Sequence, residues 1–113
     1  MYKVYFYEQK TRKSPVLDFI KACQSPLRTK ISKQIKTLQN YGLTENNPYM
    51  KKLTGTPLWE SRILGRDNTR IICVALIEQK IVILNIFRKK GNKTPVRELE
   101  LSMKRYKDLT NDI

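Results

Sequence analysis

The sequence contains no histidine. The commonest general base is therefore missing, and with it the serine–histidine and cysteine–histidine nucleophile systems. Any chemistry has to run on arginine, lysine, tyrosine, glutamate or aspartate. Cysteine is almost as scarce. Cys23 and Cys73 are too few for a disulfide framework and, without histidine, do not make a zinc site. Both lie in apolar stretches, so they read as reduced core residues of a cytoplasmic protein. No apolar run approaches the roughly 20 residues of a membrane span. The apolar-aromatic stretch within MYKVYFYEQK is too short for the hydrophobic region of a signal peptide. No membrane association is expected. No carboxylate cluster asks for a metal, and no cofactor is implied.

Negative charge is also in short supply. Ten acidic residues face 23 lysines and arginines, a formal net charge of +13 with a pI near 10.0. Such a field favours phosphate backbones, anionic lipid or an acidic protein partner. The charge is spread along the whole chain and no segment is membrane-seeking, so nucleic acid leads, with a generally basic soluble surface as the alternative. With 113 residues, 40% of them hydrophobic, the chain suits one domain over 1–113 with one core.

Residues 2–7, YKVYFY, read as a first strand. Ser14-Pro15 is a cap-plus-proline helix start, followed by an apolar stripe of Val16, Ile20 and Cys23. Ser25-Pro26 restarts a longer helix on Leu27, Ile31, Ile35 and Leu38, ending at Gly42 and carrying a basic solvent face. Residues 44–57 read as loop. Three strands follow: Leu58 to Leu64, Thr69 to Ile77, and Ile81 to Arg88, the last apolar enough to be buried on both faces. Thr94-Pro95 repeats the cap-plus-proline signal for a final helix on Val96, Leu99, Met103 and Tyr106. The order β-α-α-β-β-β-α predicts an α+β domain, an antiparallel sheet with helices packed on one face.

Tight hairpins centred on Arg66 and Gln79 would pair Arg62 with Arg70 and Arg70 with Arg88, aligning three arginines across one face. Like charges placed opposite each other repel by up to about 1 kcal/mol per pair. A protein tolerates that where an anion binds between them, and the planar arginine fork suits phosphate. The alternative is neutralisation by Glu60 and Glu78 as ordinary surface pairs. Lys51 and Lys52 precede this meander, and Arg88, Lys89, Lys90 and Lys93 follow it. Tyr49, Trp59 and Phe87 are interleaved. Any of them offers a face for stacking a base, although Trp59 and Phe87 fit a core better.

The stretch KKLTGTPLWESRI, then Arg70, then IFRKKGNKTPVRELE resembles the phage-derived HigB-like branch of the RelE/ParE toxin superfamily. In the second segment Phe87, Lys89, Lys90, Lys93, Thr94, Pro95 and Glu98 all fit the pattern. The first carries an extra residue, because Thr56 and Pro57 separate Gly55 from Leu58. The resemblance implies a RelE-like β-α-α-β-β-β-α fold and cleavage of messenger RNA in the ribosomal A site. It also implies a cognate antitoxin, in this branch usually a HigA-like helix-turn-helix protein. The functional basic positions carry over to Arg62, Arg70, Lys90 and Lys93, with Arg88 and Lys89 as secondary candidates. Relatives use a tyrosine or histidine near the C-terminus as acid or base. Here only Tyr106 is late enough, and its place on the apolar stripe argues for packing.

RNA carries its own nucleophile, the 2′-hydroxyl, so the expected mechanism needs no metal. Arg62 and Arg70 would clamp the scissile phosphate, and Lys90 or Lys93 would stabilise the leaving oxygen, or act as the acid if neighbouring cations lower its pKa. Glu60 is a general base or, more simply, the group that orients Arg62. Lys51, Lys52, Arg88, Lys89 and Tyr49 are candidate RNA contacts. The rival readings are a ParE-like gyrase inhibitor without enzymatic activity and a basic nucleic-acid-binding module.

Overall fold

The computed structural model describes residues 1–91 and 94–111, without the Asn111 side chain. Lys93, a candidate catalytic residue, lies outside the described residues. The elements are β1 (Lys3–Phe6), α1 (Pro15–Ala22), α2 (Ser25–Tyr41), β2 (Met50–Lys52), β3 (Leu58–Ile63), β4 (Thr69–Leu76), β5 (Lys80–Arg88) and α3 (Val96–Asn111). This is the α+β architecture expected, with one strand more. The helix starts follow the sequence in the first case. The Ser14 hydroxyl accepts from the Leu17 N–H, and Pro15 opens α1, where its missing N–H costs nothing. The stop of α2 is equally local. Gly42 adopts φ +73° and donates its N–H to the Leu38 carbonyl. A Cβ there would lie 2.6 Å from the Tyr2 ring, so only glycine closes this helix end.

The sheet order is β1-β5-β4-β3-β2. The strands β2–β5 are antiparallel, β3–β5 as read from the sequence, but β1 pairs with β5 in parallel, so the sheet is mixed. Side-chain alternation fixes which face a residue takes. It does not fix the direction in which a distant strand docks on the edge of β5. Strand β2 was hidden in the segment read as loop. It is three residues long, and its lysines mask the strand pattern while protecting a sheet edge.

The helices also divide between the two faces. Glu60 and Ser61 are neighbours on β3 and point to opposite sides. Ser61 accepts from Gln34 of α2. Glu60 accepts from Thr94, just before α3, and Asn85, on the face of Glu60, donates to Glu98 of α3 at 3.2 Å. So α2 covers one face, with α1 packed against α2 and β5, and α3 covers the other. The expectation of one helical face is corrected by the central strands. Ile71, Ile72, Cys73 and Val74 are all buried, so each face of β4 needs a cover. Among the described residues no helix is long and apolar enough to cross a membrane.

The β4–β5 hairpin carries a bulge. Leu76 pairs with Lys80 around Ile77–Gln79, with Glu78 and Gln79 at positive φ. Pairing then shifts between Ile72 and Cys73, leaving Leu84 as the extra residue on β5. Arg105 of α3 donates to the Leu84 carbonyl at 2.7 Å, satisfying a backbone group at the irregularity. The shift inverts the faces of everything beyond it, with a direct effect on the arginines.

Candidate anion-binding cleft

Arg62 and Arg70 are directly opposite each other across β3 and β4, in the register expected of a hairpin centred on Arg66. The third arginine does not join them. Arg70 pairs with Phe87, and Arg88 pairs with Thr69. The turn alone would have kept Arg88 on the Arg70 face. The extra residue Leu84 turns it to the other side, where it makes an ion pair with Asp67 at 3.7 Å.

Above the arginine pair is a cleft of about 540 Å³ between the sheet and the start of α3. Its polar lining is Lys51, Glu60, Arg62, Arg70, Lys89 and Thr94, completed by Pro48, Met50, Leu53 and Leu99. Four cations thus surround one carboxylate. Lys51 is opposite Glu60 on β2 and shares its face.

The two arginines are held differently. Arg62 is exposed, and its Nη2 donates to the Pro48 carbonyl at 3.0 Å. Arg70 is buried to 7% exposure. Its Nε lies 3.0 Å from Oε1 of Glu60, close in charge terms but off the N–H direction. Its Nη1 donates to Asn68 Oδ1 at 2.8 Å and to the Thr69 carbonyl at 3.2 Å. The second oxygen of Glu60 accepts from the Thr94 hydroxyl at 2.9 Å. Glu60 therefore orients Arg70, not Arg62 as its strand position suggested. Thr94, read as a helix cap, directs its hydroxyl to this carboxylate, while the Pro95 carbonyl accepts from Glu98 and Leu99 at the start of α3.

Asn68, which the sequence reading missed, holds two cleft residues from behind. It sits at φ +45° in the β3–β4 turn, a conformation asparagine tolerates. Besides holding Arg70, its Nδ2 donates to the Lys89 carbonyl at 2.9 Å, and its own carbonyl accepts from the Lys89 N–H. One turn residue thereby fixes the backbone of Lys89 beside the arginine pair. The available signal was an asparagine two residues before Arg70 in a hairpin turn, ambiguous without knowledge of Lys89.

The remaining candidates disperse. Lys90 is exposed and does not line the cleft, so Lys89 is the cleft lysine of that run. Lys52 points away from Lys51, and its ammonium donates to the Thr56 carbonyl, closing the loop before β3. Tyr49 lies on the far side of Arg62, in a separate groove against α2. Phe87 is buried and Trp59 packs against the core, as does Tyr106. Among the described residues no group of three or more acidic or thiol side chains could hold a metal ion.

Comparison with known proteins bears on the family and the fold. A family model described as phage-derived protein Gp49-like matches residues 18–107. No curated protein matches the chain. Among solved structures, a free-state E. coli toxin RelE carrying two arginine-to-alanine changes is similar over 92% of this chain and 96% of its own, with 16% identity and a TM-score of 0.66. The heterotetrameric YoeB-YefM toxin-antitoxin complex of Staphylococcus aureus is similar over 81% of this chain and 99% of the matched chain, with 18% identity and a TM-score of 0.55. At these identities the likeness is one of fold. The chain belongs to the phage-derived Gp49-like family and has the fold of the RelE toxin.

Proposed function

We propose that the chain is the toxin of a toxin–antitoxin pair, a metal-independent endoribonuclease that cuts messenger RNA on the ribosome in the cytoplasm. The observation that carries this reading is the Arg62–Arg70 pair on the floor of a cleft, one member exposed and the other pre-oriented by Glu60 and Asn68. The RelE-type fold supports it, because a toxin and a toxin–antitoxin complex share that fold. The partner inferred from the sequence motifs is a HigA-like helix-turn-helix antitoxin.

In this mechanism the 2′-hydroxyl of RNA gives up its proton to water as its oxygen attacks the adjacent phosphorus, the bond to O5′ breaks and O5′ takes a proton from water, leaving a 2′,3′-cyclic phosphate and a 5′-hydroxyl. Arg62 and Arg70 take the charge that builds on the phosphoryl oxygens. Each such donor is worth about 2.7–4 kcal/mol at the transition state. Lys89 and Lys51 flank the pair, and Lys89, which lines the cleft, takes the leaving-oxygen role in place of Lys90. Lys93 keeps its proposed role from the motif alone. Glu60 acts through Arg70, beside which it is buried, while the Thr94 hydroxyl holds its other oxygen. The cleft supplies position and charge, and the ribosome supplies the order of the message.

Induced expression followed by primer extension on cellular transcripts tests the reading. Discrete cuts within translated messages are expected. DNA damage with intact messages would indicate a gyrase inhibitor instead. Salt-dependent RNA binding without cuts, even with translating ribosomes present, would indicate a binding module.

A further inference from the structure

The cleft accounts for only part of the basic surface. Helix α2 carries Arg28, Lys30, Lys33 and Lys36 and no acidic residue. Lys30, Lys33 and Lys36 are all exposed at successive i, i+3 spacings, where like charges destabilise a helix by a few tenths of a kcal/mol per pair. Between this lysine row and β3 runs a groove of about 210 Å³, to which Lys30, Lys33, Tyr49, Arg62 and Leu64 contribute. Arg62 lines both this groove and the cleft, which open on opposite faces of the sheet and meet at its side chain, beside Pro48. Tyr49 and Leu64 are 43% and 55% exposed, apolar surface set beside cations. Aromatic surface flanked by lysines is what single-stranded nucleic acid uses: bases stack on the ring while phosphates meet the ammonium groups.

We infer that the Tyr49–Lys33 groove is a second RNA subsite, holding the single strand that flanks the scissile phosphate, with a base on Tyr49 and phosphates on Lys30 and Lys33. This rests on the proposed function for the identity of the strand, and deepens it by giving the strand a path from Lys89 and Arg70 over Arg62 to α2. An acidic polypeptide would also be drawn by the charge. RNA is favoured because the aromatic face has no role in charge pairing.

The test is equilibrium binding of non-cleavable 2′-O-methyl oligonucleotides of about three and about eight nucleotides, lengths that fill the cleft alone or the cleft and groove together. The wild type binds the longer one more tightly. Tyr49→Ala weakens the longer oligonucleotide about fivefold or more and leaves the shorter unchanged. Lys33→Gln lowers the salt slope for the longer one by about 0.7. Lys36→Gln, on the same helix but outside the groove, is the control. Equal loss in Lys36→Gln and Lys33→Gln, or no dependence on length, overturns the subsite. So does a polyglutamate probe that binds as tightly as the long oligonucleotide and shows the same loss in Tyr49→Ala. Binding is read without cleavage, so absent messenger cuts would count against the proposed activity while leaving a length-dependent subsite standing.

Discussion

Arg70 Nε lies 3.0 Å from Oε1 of Glu60, with only 9% and 7% of the two side chains exposed. A buried pair of this kind is a poor source of net stability, yet breaking it by removing one partner leaves an uncompensated charge. Glu60→Ala is therefore expected to cost about 3–5 kcal/mol in denaturant unfolding. Glu60→Gln, which keeps the shape and a hydrogen-bonding group for Thr94, is expected to cost less. Equal stability of Glu60→Ala and wild type would show that Arg70 is not held as described.

The two arginines differ in burial, so their substitutions should separate. Arg62→Ala removes an exposed side chain and is expected to change stability by no more than about 0.5 kcal/mol. Cleavage should nevertheless fall about 100- to 1,000-fold. Arg70→Ala loses cleavage as well, and also strands Glu60, so its unfolding midpoint should drop. Thermal melts beside single-turnover cleavage rates distinguish the pair. A destabilised Arg62→Ala protein contradicts the assignment.

Asn68 ties Arg70 to Lys89 through its two side-chain bonds. Asn68→Gly keeps the left-handed backbone and deletes both bonds. Its cleavage rate should fall by about tenfold or more, while denaturant stability changes by only about 1 kcal/mol. Asn68→Asp keeps an acceptor for Arg70 and loses the donor to Lys89, so its rate should lie between glycine and wild type. A wild-type rate in the glycine variant would remove Asn68 from the site.

Burial pushes the Cys73 thiol up to about 12, from an ordinary 9.0. The folded protein then keeps the proton that the unfolded chain loses. This contribution is intact below about pH 9 and declines as pH rises from 9 toward 12. Native Cys73 should resist alkylation at pH 8 and react only on unfolding. Cys23, also buried and raised by desolvation, is expected to react slowly as well. Fast modification of both thiols in the native state would contradict the described core.

Much of this is legible in the sequence, for local reasons. Serine-proline pairs, the glycine after Tyr41 and apolar periodicity mark element ends directly, and the Arg62–Arg70 pairing follows from a hairpin symmetric about Arg66. What failed is set by distant contacts. The place of Arg88 depends on one extra residue at Leu84, satisfied by Arg105 from another element. The partner of Glu60 is Arg70 because Arg70 is buried beside it while Arg62 reaches out to Pro48. The second helical face arises from burying both sides of β4 and β5, and the parallel pairing of β1 joins residues as far apart in the chain as Lys3 and Lys80, so no local window contains either.

The central claim is that the Arg62–Arg70 pair stabilises the phosphate at which messenger RNA is cut. The most direct measurement adds purified protein to ribosomes stalled on a defined message and maps breaks by primer extension. Wild type should give discrete cuts at the ribosomal A site, and folded Arg62→Ala should leave the same message intact while still binding the programmed ribosome. Equal cutting by the wild type and Arg62→Ala, or an intact message with both, would contradict the account.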